Sequence, residues 1–180
     1  MLRNTDISMH FSLSLAVLPL VLSQAHALDR CPDGWMEAHG GINLGCLHFG
    51  HPEDQQMTHE DAKAYCAAKN EDAYLVEVRT AVQQTFLDLV MNLMMEGAGV
   101  ETSTWWNGAT NGGEDGGDWF WEGTGEAMVD DGTAGTWQDG EPMAGAGSCA
   151  VMESSAGFTW RATECSDMAG VVCQLDAPPA

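Results

Sequence analysis

Basic residues are scarce in this chain. Its 180 residues include 6 lysines and arginines against 27 aspartates and glutamates, which gives a formal net charge of -21 at pH 7. Proteins that bind nucleic acid or anionic membranes use clustered lysine and arginine side chains to neutralise phosphates. The composition therefore argues against both partners, and we expect most of the acids simply to keep the protein soluble.

Common enzyme motifs are also missing. The sequence contains no Gly-x-Ser-x-Gly nucleophile elbow and no His-Glu-x-x-His zinc motif. Pairs of carboxylates are frequent in so acidic a chain, so they do not by themselves identify a glycosidase site. The 6 cysteines are an even number, which in a secreted chain indicates disulfides and leaves no thiol as a nucleophile. We therefore expect that the protein is not an enzyme.

A third absence is a hydrophobic run of the about 20 residues that a membrane span requires. The apolar run 11–22 is shorter; it follows one basic residue, Arg3, and precedes Ala25-His26-Ala27, which is typical of a signal-peptidase site. A membrane anchor is the alternative. We predict a secreted, extracellular protein with a signal peptide over residues 1–27, one domain over 28–175 and a C-terminal tail over 176–180.

Two helices are predicted from their N-terminal caps. Thr58 precedes Glu60 and Asp61, which places a polar cap and two acids at the positive end of a helix. Thr80 and Gln83 have the spacing of a capping box at the start of the second helix. The apolar residues of that helix form one stripe at helical spacing: Val82, Phe86, Leu89, Val90, Leu93 and Met94. Short segments near Cys46, Leu75, Trp105, Trp121, Cys149, Trp160 and Val172 predict the strands of a small mixed sheet.

The most informative part of the chain runs from Trp137 to Cys173. It contains Trp137-Gln138-Asp139-Gly140-Glu141-Pro142, then Cys149, Trp160, Cys165 and Cys173. Together with Cys31-Pro32-Asp33-Gly34-Trp35 and Trp105-Trp106-Asn107-Gly108-Ala109, these residues resemble the C-type lectin-like domain family. The resemblance implies an α+β, C-type lectin-like fold, with two helices flanking small, mostly antiparallel sheets, a long loop region and three disulfides.

The resemblance also implies which cysteines pair. The number of cysteines alone leaves every pairing open. The family pattern implies the pairs Cys31–Cys46, Cys66–Cys173 and Cys149–Cys165. The second pair would tie the end of the chain to the first helix.

The function implied by the resemblance is that of a secreted carbohydrate-binding recognition module, like the innate-immune lectins of invertebrates. Sugar-binding members hold calcium, which takes about 6–8 oxygen ligands, through a Glu-Pro-Asn loop, an acid near a cysteine and a Trp-Asn-Asp strand. This chain keeps Glu141 but has Met143, Gly147, Arg161 and Ala162 at the other positions. We therefore predict a degenerate calcium site at the Glu-Pro-Met loop and no required cofactor, with bound calcium as the weaker alternative.

A second group of oxygen ligands lies in the long loop region. The candidate metal ligands are Asn111 and Asp115 of this region, together with Glu141 of the Glu-Pro-Met loop. The long loop could also bring Glu114, Asp118, Asp130 and Asp131 beside Asn111 and Asp115. The favoured alternative is a solvated acidic loop without an ion. His48, His51 and His59 include a spacing that zinc can use, but no fourth ligand is evident, so surface histidines are the favoured interpretation.

Aromatic residues offer a way to bind sugar without a metal, because tryptophan faces can stack on pyranose rings. The candidate ligand-binding residues are Trp119, Trp121, Asp139, Glu141 and Arg161. Trp105, Trp137 and Trp160 match core positions of the family, so we expect them to be buried. The expected partner is a glycan or a protein, and the alternative function is a calcium-independent protein-binding or ice-binding domain.

Overall fold

The computed structural model describes residues 31–50, 56–100, 103–113, 117–129 and 137–176. The predicted signal peptide, residues 1–27, lies outside the described residues, as do residues 177–180 of the predicted tail. Among the described residues, no helix combines the length and the apolar content that crossing a bilayer requires.

The described residues form an α+β fold with one mixed sheet. The helices are α1 (His59–Lys69) and α2 (Ala81–Ala98). The strands are β1 (Met36–Ala38), β2 (Gly45–Phe49), β3 (Tyr74–Leu75), β4 (Thr104–Thr110), β5 (Phe120–Trp121), β6 (Cys149–Glu153), β7 (Thr159–Thr163) and β8 (Gly170–Leu175). Their order is β1-β2-β8-β4-β6-β7, with β3 paired to β8 and β5 paired to β4. The β4–β8 pair is parallel and the other pairs are antiparallel, so the predicted fold class is confirmed.

Both helices begin where their caps predict. The Thr58 side chain accepts a hydrogen bond from the backbone N–H of Asp61. Thr80 and Gln83 form the complete capping box, in which each side chain binds the other residue's backbone N–H. Helix α2 ends at Gly99, whose φ of 71° lies in the left-handed region that glycine adopts without strain. Local sequence therefore determines where both helices start and where α2 ends.

The predicted apolar stripe of α2 lies largely on the solvent side of the helix. A stripe of this kind usually faces the core, but Val82, Leu89 and Leu93 are 57%, 59% and 58% exposed. The buried residues of α2 are Gln83, Gln84, Leu87, Met91 and Met95. The helix thus has apolar residues on two faces, and a pattern of hydrophobicity alone selects the wrong face because two of the buried residues are glutamines.

Each face of the sheet covers its own apolar cluster. Trp105 and Trp106 are neighbours on β4 and are both fully buried, but they point to opposite faces because side chains alternate along a strand. Trp105 packs with Leu87 and Met91 of α2 in one cluster. Trp106 packs in the other, which also contains Ala62 and Cys66 of α1. One tryptophan pair therefore anchors both helices to the same strand.

Three disulfides join these elements. They are Cys31–Cys46, Cys66–Cys173 and Cys149–Cys165, the pairs that the resemblance implies. The second bond joins α1 to β8 across 107 positions of sequence, whereas the third joins β6 to the segment after β7 across 16. The described residues contain no free cysteine.

Candidate functional site

Glu141 fastens the loop that precedes β6 to strand β7. Its Oε2 atom accepts hydrogen bonds from the backbone N–H groups of Met143, at 3.1 Å, and Ala162, at 3.0 Å. The backbone N–H of Gln138 also donates to the carbonyl of Trp160, at 2.8 Å. One carboxylate oxygen of Glu141 thus has a structural role at the position where the resemblance implies an ion ligand.

Arg161 precedes Ala162 on β7, and its side chain binds a residue of the neighbouring strand β6. Its Nε atom donates to Oε2 of Glu153 at 3.3 Å, and the same oxygen accepts from Nε2 of Gln138 at 3.1 Å. Both charged side chains are about one third exposed. The guanidinium and the carboxylate therefore present a polar surface beside the Glu141 loop.

Glu153 also lines an open polar pocket of about 260 Å³. The other lining residues are Gln56, Ser103, Thr104 and Ser155. Hydroxyl, amide and carboxylate groups of this kind can bind the hydroxyl groups of a polar ligand. No sequence motif indicates this pocket, because its residues come from separate parts of the chain.

Four tryptophan rings pack edge to face, from the surface into the core. Trp119 contacts Trp137 at a centroid distance of 4.8 Å, and Trp160 contacts both Trp137 and Trp121 at 5.7 Å. Trp121 is only 3% exposed, so its prediction as a ligand-stacking residue is wrong. It follows Phe120 on β5 with its side chain in the core.

Trp119 and Trp137 form the partly exposed end of this row. Trp119 keeps the accessibility that a stacking residue needs, and Trp137, which was expected to be buried, lies beside it. Asp139 is exposed in the turn that follows Trp137. The structure thus places one predicted aromatic residue and one predicted acid near the start of the Glu141 loop.

The hairpin carrying Trp119 is held at its far end by a buried acid. Glu77 is 1% exposed and accepts hydrogen bonds from the backbone N–H and the hydroxyl of Thr124, at 2.9 and 3.1 Å. Arg79 donates to Glu77, Glu126 and Thr124. No sequence motif singles out Glu77, since its partner Thr124 lies 47 positions away.

The candidate metal ligands of the long loop are only partly within the described residues. Asn111 is 7% exposed, and its Oδ1 accepts from the backbone N–H of Gly113 at 3.1 Å. Asp118 is exposed. Glu114, Asp115, Asp130 and Asp131 lie outside the described residues, so a calcium site in this loop stays a prediction.

The histidines considered for zinc have separate environments. His48 contacts the hydroxyl of Tyr65 and the carbonyl of Gly34, whereas His59 is buried against Trp106; His51 lies outside the described residues. Cys31, His39 and Cys46 have potential ligand atoms within 4.8 Å of one another. Both sulfurs belong to the first disulfide, so they are not the thiolates that bind zinc.

A second, mainly apolar pocket of about 230 Å³ lies between α1, β3, β4 and the end of β5. Lys63 at its edge donates to Glu122 at 2.7 Å and to Glu60 at 3.0 Å. These carboxylates raise the pKa of Lys63, the hydrogen bond to Glu122 being the largest cause. Burial, and then the hydrogen bond to Asp176, raise the pKa of Tyr74 in the pocket wall. Lys63 therefore stays charged and Tyr74 neutral near pH 7.

Comparison with known proteins identifies several that are similar to this chain. The family model described as "Lectin C-type domain" matches residues 55–175, about two thirds of the chain. One of the chains of snaclec salmorin from Gloydius brevicauda is 36% identical over 76 residues, which is 42% of this chain and 45% of that protein. The chain thus spans less than half the length of this curated relative.

Solved structures extend the similarity to most of the chain. Human lithostathine superposes with a TM-score of 0.63 at 25% identity, over 81% of this chain and 99% of its own. The C-type lectin CEL-I of Cucumaria echinata gives a TM-score of 0.63 at 22% identity, over 83% of this chain and 100% of its own. Because the identity is below 25%, the similarity to CEL-I shows only that the two proteins share a fold.

Proposed function

Because the chain belongs to the C-type lectin domain family, whose domains bind glycans or proteins and are not enzymes, we propose that it is a secreted module that binds a carbohydrate without calcium at the Glu141 loop. The role in immune recognition that the resemblance implies is part of this proposal. Secretion is supported by the three disulfides, which form and persist in oxidising compartments.

The contacts of Glu141 carry the calcium-independent part of the proposal. Its Oε2 atom already binds two backbone N–H groups. Met143 offers a soft thioether, which a hard cation such as calcium does not favour, and Ala162 offers no side-chain oxygen. Arg161 brings a positive charge to the same strand. A calcium ion here would lack most of the about 6–8 oxygens that it requires.

The ligand surface that we propose extends from the Trp119–Trp137 pair to Arg161. The partly exposed tryptophans supply apolar area at one end. Asp139 and the Arg161–Glu153 pair supply hydrogen-bonding groups at the other. Aromatic surface with a few placed polar groups is the usual composition of a small-ligand site.

The test is glycan binding by the mature domain in calcium and in EDTA, beside a calorimetric titration of calcium into the metal-stripped protein. We expect the glycan to bind equally well in both buffers, and we expect no heat of calcium binding in the titration. Trp119→Ala should weaken binding on the order of tenfold, as loss of an aromatic anchor does, whereas Met168→Ala, an exposed residue after β7, should not. Loss of binding both in EDTA and in Glu141→Gln would contradict the proposal.

A protein ligand is the second candidate. Met143, at the tip of the Glu141 loop, is 59% exposed, and methionine is frequent on surfaces that bind proteins. Free monosaccharides discriminate the two functions, since they should displace a bound glycan and leave a protein ligand in place.

A further inference from the structure

The polar pocket beside Glu153 is built by the register of two strands. Thr104 of β4 lies directly opposite Glu153 of β6, which places both side chains on the same face of the sheet. The backbone N–H of Ser103 donates to Oγ of Ser154 at 2.8 Å, and the N–H of Ser154 donates to the carbonyl of Ser103 at 3.0 Å. Strand pairing and this reciprocal bond therefore fix the wall of the pocket.

The side chains that line the pocket suit a ligand with many hydroxyl groups. The hydroxyls of Ser103, Thr104 and Ser155 and the amide of Gln56 can both donate and accept hydrogen bonds, as sugar hydroxyls do. The volume of about 260 Å³ corresponds to roughly nine water-sized groups. The pocket is therefore large enough for one sugar unit.

Glu153 determines which sugar units the pocket accepts. Among the described residues that line the pocket, it is the one that carries a charge. The charge of Arg161 is already matched, because its Nε atom donates to Oε2 of Glu153. The carboxylate of an acidic sugar in this pocket would face that of Glu153, in a protein with a net charge of -21, and like charges so placed repel. The pocket therefore favours an uncharged sugar unit.

The edge of the sheet separates this pocket from the Trp119–Trp137 pair. Trp137 forms a parallel bridge with β7 and packs in the apolar cluster that contains residues of α2. The next side chain, Gln138, points to the other face, where its Nε2 binds Glu153. Glu153 shares that face with Val151, which packs in the cluster of α1. One sugar ring reaches the tryptophans or the pocket, whereas an oligosaccharide that crosses the edge reaches both.

We propose that the pocket is a second sugar subsite, which takes one uncharged unit of an oligosaccharide whose other end stacks on the Trp119–Trp137 pair. Because this subsite rests on the proposed function, it adds to that function the length and the charge of the ligand. The ligand contains more than one sugar unit, and the unit in the pocket carries no carboxylate or sulfate.

NMR titration of the isotope-labelled mature domain tests both properties. The probes are glucose, mannose and N-acetylglucosamine, their linear trimers, and the acidic trimer trigalacturonate. We expect a neutral trimer to shift the backbone N–H signals of Thr104 and Ser155 together with the indole N–H signal of Trp119. It should bind on the order of tenfold more tightly than its monomer, because it gains the hydrogen bonds of the second subsite. Trigalacturonate should leave the signals of Thr104 and Ser155 in place.

Variants of the pocket separate it from the aromatic pair. Thr104→Val/Ser155→Ala removes two hydroxyls with little change in volume, and it should weaken trimer binding on the order of tenfold without changing the shift that the monomer causes at Trp119. Ser155→Ala alone, at an exposed position, should give a smaller loss of the same kind. Thr85→Val removes an exposed hydroxyl from α2 and should leave trimer binding unchanged.

Failure of the second subsite and failure of the proposed function give different results. Trimer shifts at Trp119 alone, or unchanged trimer binding in both pocket variants, would overturn the subsite and leave the proposed function standing. Shifts at the pocket that Trp119→Ala leaves unchanged would contradict the proposed function, and with it a ligand that spans both surfaces. Absence of shifts with every sugar would contradict both. Trigalacturonate that binds in the pocket as tightly as a neutral trimer would refute the selection against charge.

Discussion

His59 is a buried histidine at the start of α1. Its side chain is 6% exposed, and its Nε2 atom lies 3.9 Å from Oε2 of Glu122 without a hydrogen bond. Its ring packs edge to face on Trp106 at 5.3 Å. Burial lowers the pKa of His59 below its usual 6.5; Glu122 and Glu60 oppose this shift, and Lys63 adds to it. The folded protein therefore holds His59 in its neutral form.

This lowered pKa makes stability depend on pH. Below pH 6.5 the unfolded chain binds a proton at His59 before the folded protein does, so the free energy of unfolding falls as the pH decreases from about 6.5 toward the folded pKa. The contribution is complete above about pH 6.5. We expect urea unfolding to show that the stability difference between the original protein and His59→Gln shrinks between pH 7.5 and pH 5.

His48→Gln is the matched comparison for that experiment. Burial also lowers the pKa of His48, but this ring is less buried and bonds to Tyr65 and Gly34, so a smaller pH dependence is expected. A difference between the original protein and His59→Gln that stays constant with pH would contradict the prediction.

At the scale of single residues, the sequence locates Glu141 but does not give its contacts. The resemblance singles out this position, yet its hydrogen bonds to Met143 and Ala162 depend on how the loop lies against β7. Trp121 fails as a predicted surface residue for a similar reason. The direction of a side chain on a two-residue strand depends on the register with β4, and a short pattern does not encode that register.

At the scale of elements, α2 separates what local sequence determines from what packing determines. Its capping box and its terminal glycine are local, and both were predictable. Its buried face depends on Gln84, whose Oε1 accepts from Nε1 of Trp160 at 2.9 Å and whose Nε2 donates to the carbonyl of Phe158 at 3.3 Å. These partners follow 74 to 76 positions later, so a helical periodicity contains no signal for them.

Replacing Gln84 should therefore destabilise the protein although it adds apolar surface to the core. Gln84→Met has a similar volume but leaves Nε1 of Trp160 buried without a partner, which costs about 1–3 kcal/mol. Val82→Gln, the reverse exchange on the exposed face, should change the free energy of unfolding by less than about 0.5 kcal/mol. Urea unfolding measures both. Equal effects of the two substitutions would mean that the helix faces are assigned wrongly.

At the scale of the whole molecule, the disulfides oppose the expansion of the chain that its net charge favours. A net charge of -21 opposes compaction through self-repulsion. The Cys66–Cys173 bond joins α1 to β8 near the centre of the sheet, so it limits the expansion that this repulsion favours in the unfolded chain. No local pattern predicts the order of the strands in the sheet, because β4 and β8 pair across about 65 positions of sequence.

The size of the loop that each disulfide closes predicts how much each contributes. Closing 107 positions, as Cys66–Cys173 does, restricts the unfolded chain by about 4.7 kcal/mol in the entropy model, against about 3 kcal/mol for the 16 positions of Cys149–Cys165. We expect Cys66→Ala/Cys173→Ala to lose more stability in urea than Cys149→Ala/Cys165→Ala. Added salt should recover part of either loss, since it screens the self-repulsion of the chain. If Cys149→Ala/Cys165→Ala were instead the less stable variant, the contribution of these bonds would be determined by native contacts around Cys149 and not by the entropy of the unfolded chain.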